Sequence, residues 1–202
     1  MRSSAWAIVA GLALAGCDGG PPTSERPAAA RAETSASPPT AAEPALSGFV
    51  REGDVDASGY YMPVGTPPTV GTLRLAHLSV GAPFEFDEWR KPGPAAQATY
   101  APIMLQFDDV ASPRVTNELG AEAHTVQVRV LPTAFKLTAD RLQMTGRDAR
   151  LGAVSFTGAL DTAKVAAERA EGLSSNEPVL RGTLIVGERR FENVAFTWFG
   201  GD

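Results

Sequence analysis

The chain has 202 residues, with 18 Lys and Arg against 23 Asp and Glu and a net charge of −5. A mildly acidic chain without a basic run lacks the electrostatic footprint of a nucleic-acid binder, and a single cysteine, Cys17, excludes both an internal disulfide framework and a multi-cysteine zinc site. Stability must then come from an apolar core, and the chain is long enough to build one.

The N-terminus reads as a targeting segment. Arg2 supplies a positive start, and Ala5 to Leu14 form an apolar stretch of the length expected of a signal peptide. That stretch is too short to span a bilayer, which takes roughly 20 apolar residues, and Asp18 with a Gly/Pro run interrupts it. Leu14-Ala15-Gly16-Cys17 resembles a bacterial lipobox. The resemblance covers residues 1 to about 20 and implies cleavage after a signal peptide of residues 1–16, lipidation of the Cys17 thiol, and Cys17 as the first mature residue. It also implies a lipid-anchored protein of the cell envelope facing the periplasm. Asp18, directly after the cysteine, resembles an inner-membrane retention signal of some enteric bacteria and favours that membrane. An ordinary cleaved secretory signal is the rival reading. Two or more acyl chains anchor stably where one does not, because each buried methylene contributes about 0.8 kcal/mol.

After Cys17-Asp18-Gly19-Gly20, the rest of residues 17–47 is Ala, Pro, Ser, Thr, Glu and Arg with no aromatic side chain and a single large aliphatic, Leu46. Such a composition cannot bury enough surface to offset its ordering entropy, so a disordered linker is expected. It would reach roughly 30 Å as a coil and about 90 Å as extended polyproline.

Residues 48–202 carry the signs of a β-domain. Short segments at Thr72–Val80, Phe84–Trp89, Tyr100–Phe107, His124–Leu131, Ala134–Ala139, Arg141–Thr145, Ala153–Leu160, Val179–Val186 and Phe191–Phe199 suit strands, with turn residues near most of their ends. Val126, Val128 and Val130 alternate with Gln127 and Arg129, and Val154 and Phe156 with Ser155 and Thr157, as in antiparallel strands with one face on a core. The last two segments flank Gly187-Glu188-Arg189-Arg190 and predict a hairpin. One short helix is expected at Thr162–Glu171, capped by Asp161 and ended by Gly172. The fold class is therefore all-β, an antiparallel sandwich or barrel with one short helix.

Motifs for chemistry are sparse. Asp54, Asp56 and Ser58, followed by Gly59, match the first half of a calcium loop, but the twelfth position is Gly65 where a bidentate Glu is needed. The two histidines, His77 and His124, are the best transition-metal ligands and general bases. Strand period places His77 on the face of Leu73 and Leu75, and His124 with Val126, Val128 and Val130. Glu122 and Asp108-Asp109 are potential companions for them. No Gly-x-Ser-x-Gly elbow, phosphate-binding Gly loop or His-Glu-x-x-His occurs. Aromatic residues offer another site: Tyr60 and Tyr61 precede a Pro-rich stretch, while Trp89 and Tyr100 bracket the Arg90-to-Pro94 loop, so these four could line a ligand-binding mouth. The long loop from Asp108 to Ala123 is a second recognition candidate.

The leading expectation is a membrane-anchored, non-catalytic β-domain that binds a partner protein or an envelope ligand, with no resident cofactor. Two alternatives stay open: a carrier of a small lipophilic ligand, and a metal-dependent envelope enzyme using His77 and His124. Oligomeric state is not legible in the sequence.

Overall fold

Alternation of buried and exposed residues organises nearly every strand of the domain. The computed structural model describes residues 45–91, 99–116, 120, 122–172 and 174–201. The lipobox-like segment with Cys17, residues 17–44 of the expected linker, and Pro92-Gly93-Pro94 lie outside the described residues. The strands are β1 (Phe49–Arg51), β2 (Gly59–Pro63), β3 (Thr69–Val70), β4 (Leu73–Val80), β5 (Ile103–Asp109), β6 (Arg114–Thr116), β7 (Glu122–His124), β8 (Gln127–Val130), β9 (Pro132–Leu137), β10 (Arg141–Asp148), β11 (Gly152–Leu160), β12 (Leu180–Val186) and β13 (Arg189–Phe199). Two helices interrupt them, α1 (Pro83–Arg90) and α2 (Thr162–Glu171).

One sheet runs in the order β1-β9-β10-β11-β12-β13-β2-β4-β5-β8, with β3 added against β4, and it curls into a half-barrel. Its pairs are antiparallel apart from β1 against β9. Strands β6 and β7 form a separate two-stranded ribbon. The domain is thus all-β, as expected, and it is a single curled sheet rather than two packed layers. Among the described residues no helix is long and apolar enough to cross a membrane.

The inner face of the sheet is filled with side chains. Leu78, Ile103, Leu105, Phe107, Phe135, Phe156 and Phe196 are fully buried and belong to one continuous core. Helix α2 forms where expected: Asp161 accepts from the Lys164 N–H at 2.9 Å, Gly172 closes the last turn with φ 64°, and Val165 enters the core. The β12–β13 hairpin also forms, with Gly187 in its turn at φ 58°.

Three expectations need correction. Phe84–Trp89 is helix α1, so there are two helices. Pro83 sits in the first turn, where its missing N–H costs nothing, and the Glu85 carboxylate reaches back to the Ala82 N–H at 2.6 Å. Phe86 and Trp89, three apart, then share the buried face while Phe84 is 67% exposed. The segment His124–Leu131 is two strands, β7 and β8, broken at Thr125 and Val126. Val126 accordingly does not share the buried face of Val128 and Val130. Finally, a β-bulge between Leu75 and His77 adds a residue to β4 opposite β5. Leu73 and Leu75 stay on the inner face, but the extra residue shifts the alternation by one, so Leu78 and Val80 point inward and His77 turns to the other face.

Candidate functional site

The bulge in β4 creates the outer-face arrangement that most resembles a site. Beyond it, His77 and Ser79 both face outward. Strand register then lays two rows across the sheet. Tyr60 of β2 lies beside Ser79, which lies beside Met104 of β5. His77 lies beside Gln106 of β5, which lies beside Arg129 of β8. These rows floor a cleft of about 520 Å³, walled by Gly81, Ala82 and Glu85 at the start of α1, by Tyr100 to Pro102, and by Gly200. That volume falls within the range of small-ligand sites, roughly 300–1,000 Å³.

The wall is locked by hydrogen bonds. The Tyr100 hydroxyl donates to Glu85 Oε1 at 2.5 Å, and the other Glu85 oxygen takes the Ala82 N–H. Trp89 donates its indole N–H to the Tyr100 carbonyl at 3.2 Å. Burial, reinforced by the Glu85 carboxylate, raises the Tyr100 hydroxyl well above its ordinary pKa, so it stays protonated as a donor. On the floor, the Tyr60 ring stands edge-on to His77 at 5.1 Å and lies 6.4 Å from Phe199. Burial holds His77 below its ordinary value; the Asp108 charge opposes this and the Arg129 charge adds to it. The imidazole is therefore neutral at pH 7.

The four aromatic candidates separate. Tyr60 and Tyr100 line the cleft, while Trp89 is buried beneath its wall. Tyr61 is in the core, donating to the Ala57 carbonyl at 2.7 Å, and burial pushes its hydroxyl pKa well up. The two histidines also separate. His77 belongs to the cleft floor, whereas His124 lies in the β6–β7 ribbon, with Nδ1 3.2 Å from the Ser112 carbonyl and Nε2 buried without a partner among the described residues. Glu122 accepts from the Thr116 hydroxyl, and Asp109 pairs with Arg150 at 2.5 Å. Among the described residues no group of three or more His, Cys, Asp or Glu side chains is placed to share a metal ion.

The calcium-like segment is a strut. Asp54 is exposed. Asp56 Oδ1 accepts from the Ser58 N–H at 3.0 Å and from its hydroxyl at 2.7 Å, while Oδ2 pairs with Arg169 of α2 at 3.0 Å. The Ser58 carbonyl accepts from Arg169 at 2.8 Å and from the Trp198 indole at 2.9 Å, and the guanidinium stacks 5.6 Å from the Trp198 ring. Burial alone would raise the Asp56 carboxyl, but the Ser58 hydrogen bonds and the charges of Arg169 and Arg51 outweigh it and hold the pKa below the usual range. Arg169→Ala is expected to cost about 1 kcal/mol, from one lost hydrogen bond to the Ser58 carbonyl, which keeps the Trp198 indole as donor, and a partly exposed ion pair that itself contributes under about 1 kcal/mol. A carboxyl with a lowered folded pKa adds stability above its unfolded pKa and loses it as pH falls through the folded value. Urea midpoints measured below about pH 4 should therefore drop less steeply in the variant than in the parent; equal slopes would contradict the strut.

Ser79, Gln106, Arg129 and Glu85 complete the cleft without a sequence motif that joins them. Arg129 alternates with Val128 and Val130, which marks it as outward-facing, but its neighbours are fixed only by strand register. A larger groove of about 670 Å³ lies on the outer face of β10–β13, but it has no aromatic lining residue, and its Arg190 is already held by Glu192 at 2.9 Å. No protein-family model, curated protein or solved structure matches this chain.

Proposed function

We propose that this chain is a lipid-anchored cell-envelope protein whose β-domain is a non-catalytic binding module, engaging an envelope ligand or partner at the outer-face cleft of Tyr60, His77, Tyr100 and Arg129. The observation that carries the reading is the contrast between the two faces of one sheet. The inner face is filled by Leu78, Leu105, Phe107, Phe135 and their neighbours, while the outer face holds a cleft assembled from four adjacent strands and walled by a hydrogen-bonded helix start. A filled interior favours recognition at the surface over carriage inside a barrel. Within the cleft no hydrogen bond joins Ser79 to His77, and both Glu85 oxygens are engaged, which favours binding over turnover.

Two measurements test this on the full chain in a bacterial envelope. A photoreactive side chain substituted for Ser79 should give a discrete adduct that Tyr60→Ala combined with Arg129→Ala removes; a folded protein giving no adduct refutes the cleft. Cys17→Ala should release the protein from the membrane fraction or leave an unprocessed precursor, and unchanged processing and fractionation would refute the anchor.

A further inference from the structure

We infer that the cleft takes a saccharide carrying a single carboxylate, such as a uronic-acid unit of an envelope or surface glycan. This rests on the cleft being the binding surface, and it goes further by reading the ligand from the groups left free there.

Two polar groups in the wall are already spent. Tyr100 gives its hydroxyl proton to Glu85, and Glu85 uses both oxygens within the wall. Arg129 is the cation lining the cleft, and among the described residues it has no ion pair and no side-chain hydrogen bond. A planar guanidinium presented this way matches a carboxylate, which accepts two parallel N–H donors. Beside Arg129 in its row stand Gln106 and neutral His77, and Ser79 follows in the next row. An amide, an imidazole and a hydroxyl each donate and accept, which suits the hydroxyls of a sugar.

Tyr60 supplies the apolar contact. Its side is 42% exposed, yet the ring is held between His77 and Phe199, so little ordering is needed on binding. A flat ring of this kind suits the C–H face of a pyranose. The surface continues past the cleft through Phe199 and Met62, both partly exposed and next to Tyr60 or one row beyond it. A chain of sugars can therefore lie along the sheet.

Other chemistries fit less well. A purely apolar ligand would strip water from Arg129, Gln106 and His77 without replacing its hydrogen bonds. A phosphate-rich ligand would bring several negative charges to one arginine, against the Glu85 carboxylate and against Asp108, which follows Gln106 on the same outer face of β5. A basic ligand would be repelled by Arg129.

The test is calorimetry on the full chain in mild detergent with an aldotriouronic acid, in which one glucuronic-acid unit sits on xylobiose, and with the neutral trimer xylotriose. The acidic trimer is expected to bind about tenfold or more tightly than the neutral one, the factor expected of one charge-assisted contact. Arg129→Gln should abolish that preference and leave the neutral affinity in place. Tyr60→Ala should weaken both sugars severalfold, while Tyr60→Phe, which keeps the ring, should not. Equal binding of the two trimers, binding of neither, or acidic binding untouched by Tyr60→Ala would each overturn the inference. If neither sugar binds while the position-79 adduct still forms, the saccharide assignment falls and the cleft reading stands. Loss of both the adduct and sugar binding removes both.

Discussion

Gly182→Ala is expected to destabilise the domain by about 3 kcal/mol, the upper end of the usual cost of overpacking. A Cβ built at Gly182 would lie 2.3 Å from the Thr157 carbonyl oxygen and 2.5 Å from the Gly158 Cα. Both are backbone atoms of the neighbouring strand, so no rotamer change relieves the clash and β11 and β12 must separate. The close approach lies beside a β-bulge. Gly182 pairs with Gly158 across β11–β12, and the register of β12 against β13 shifts between Gly182 and Leu184. Asn193, opposite that shift, takes φ 54°, a left-handed conformation that Asn tolerates better than most side chains. Gly158→Ala should cost less, because its nearest obstacle is the rim of the Phe156 ring at 2.7 Å, which can tilt, although the Arg181 carbonyl at 2.8 Å cannot. Urea unfolding followed by tryptophan fluorescence measures both. A Gly182→Ala cost below about 1 kcal/mol, within the range of unremarkable substitutions, would mean the two strands are not apposed as described.

What the sequence reveals of this fold follows how local each determinant is. Helix α2 is legible because its cap, its alanines and its closing glycine lie within twelve consecutive residues, Asp161 to Gly172. The last hairpin is legible for the same reason. Helix α1 is not, because Phe84 and Phe86 satisfy the strand period while Phe86 and Trp89 satisfy the helical one. The choice between them falls to Pro83 and Glu85 at its start. Strand β1 escapes detection because its partner is β9, far along the chain, and three residues carry no periodicity of their own.

The bulge in β4 shows how the site was only half legible. Tyr60, His77 and Tyr100 stand out by residue type, but period alone turns His77 toward the core with Leu75. The extra residue that turns it outward depends on pairing with β5, which sequence alternation cannot contain. Gln106 and Arg129 then become its neighbours through register. The same non-local pairing disperses the metal-site companions: His124 goes to the ribbon and Asp109 to an ion pair with Arg150. Asp54 and Asp56 read as ligands because the spacing is local, while the cation that occupies Asp56 is Arg169, supplied from α2.

Phe135→Ala is expected to cost about 3–5 kcal/mol and to unfasten the cleft wall before the rest of the domain. Phe135 is fully buried on β9, with its ring 5.4 Å from Phe49, 5.6 Å from Phe86 and 6.0 Å from Trp89. It therefore joins β1 and α1 to the sheet at one point. Helix α1 has only two turns, and helices this short draw their stability from packing rather than propensity. Removing the ring leaves Phe86 and Trp89 against a cavity. Glu85 and the Trp89 indole, which fix Tyr100, ride on the same helix. Phe156→Ala is the control, because Phe156 packs edge-on against Phe196 at 5.6 Å, on strands without α1 in contact through a ring. Both variants should lower the urea midpoint by similar amounts. Under native conditions, however, amide exchange in Pro83–Arg90 should accelerate strongly in Phe135→Ala and little in Phe156→Ala. Equal protection of α1 in the two variants would show that the helix is held by something other than the aromatic cluster. The cleft wall would then be independent of the core beneath it.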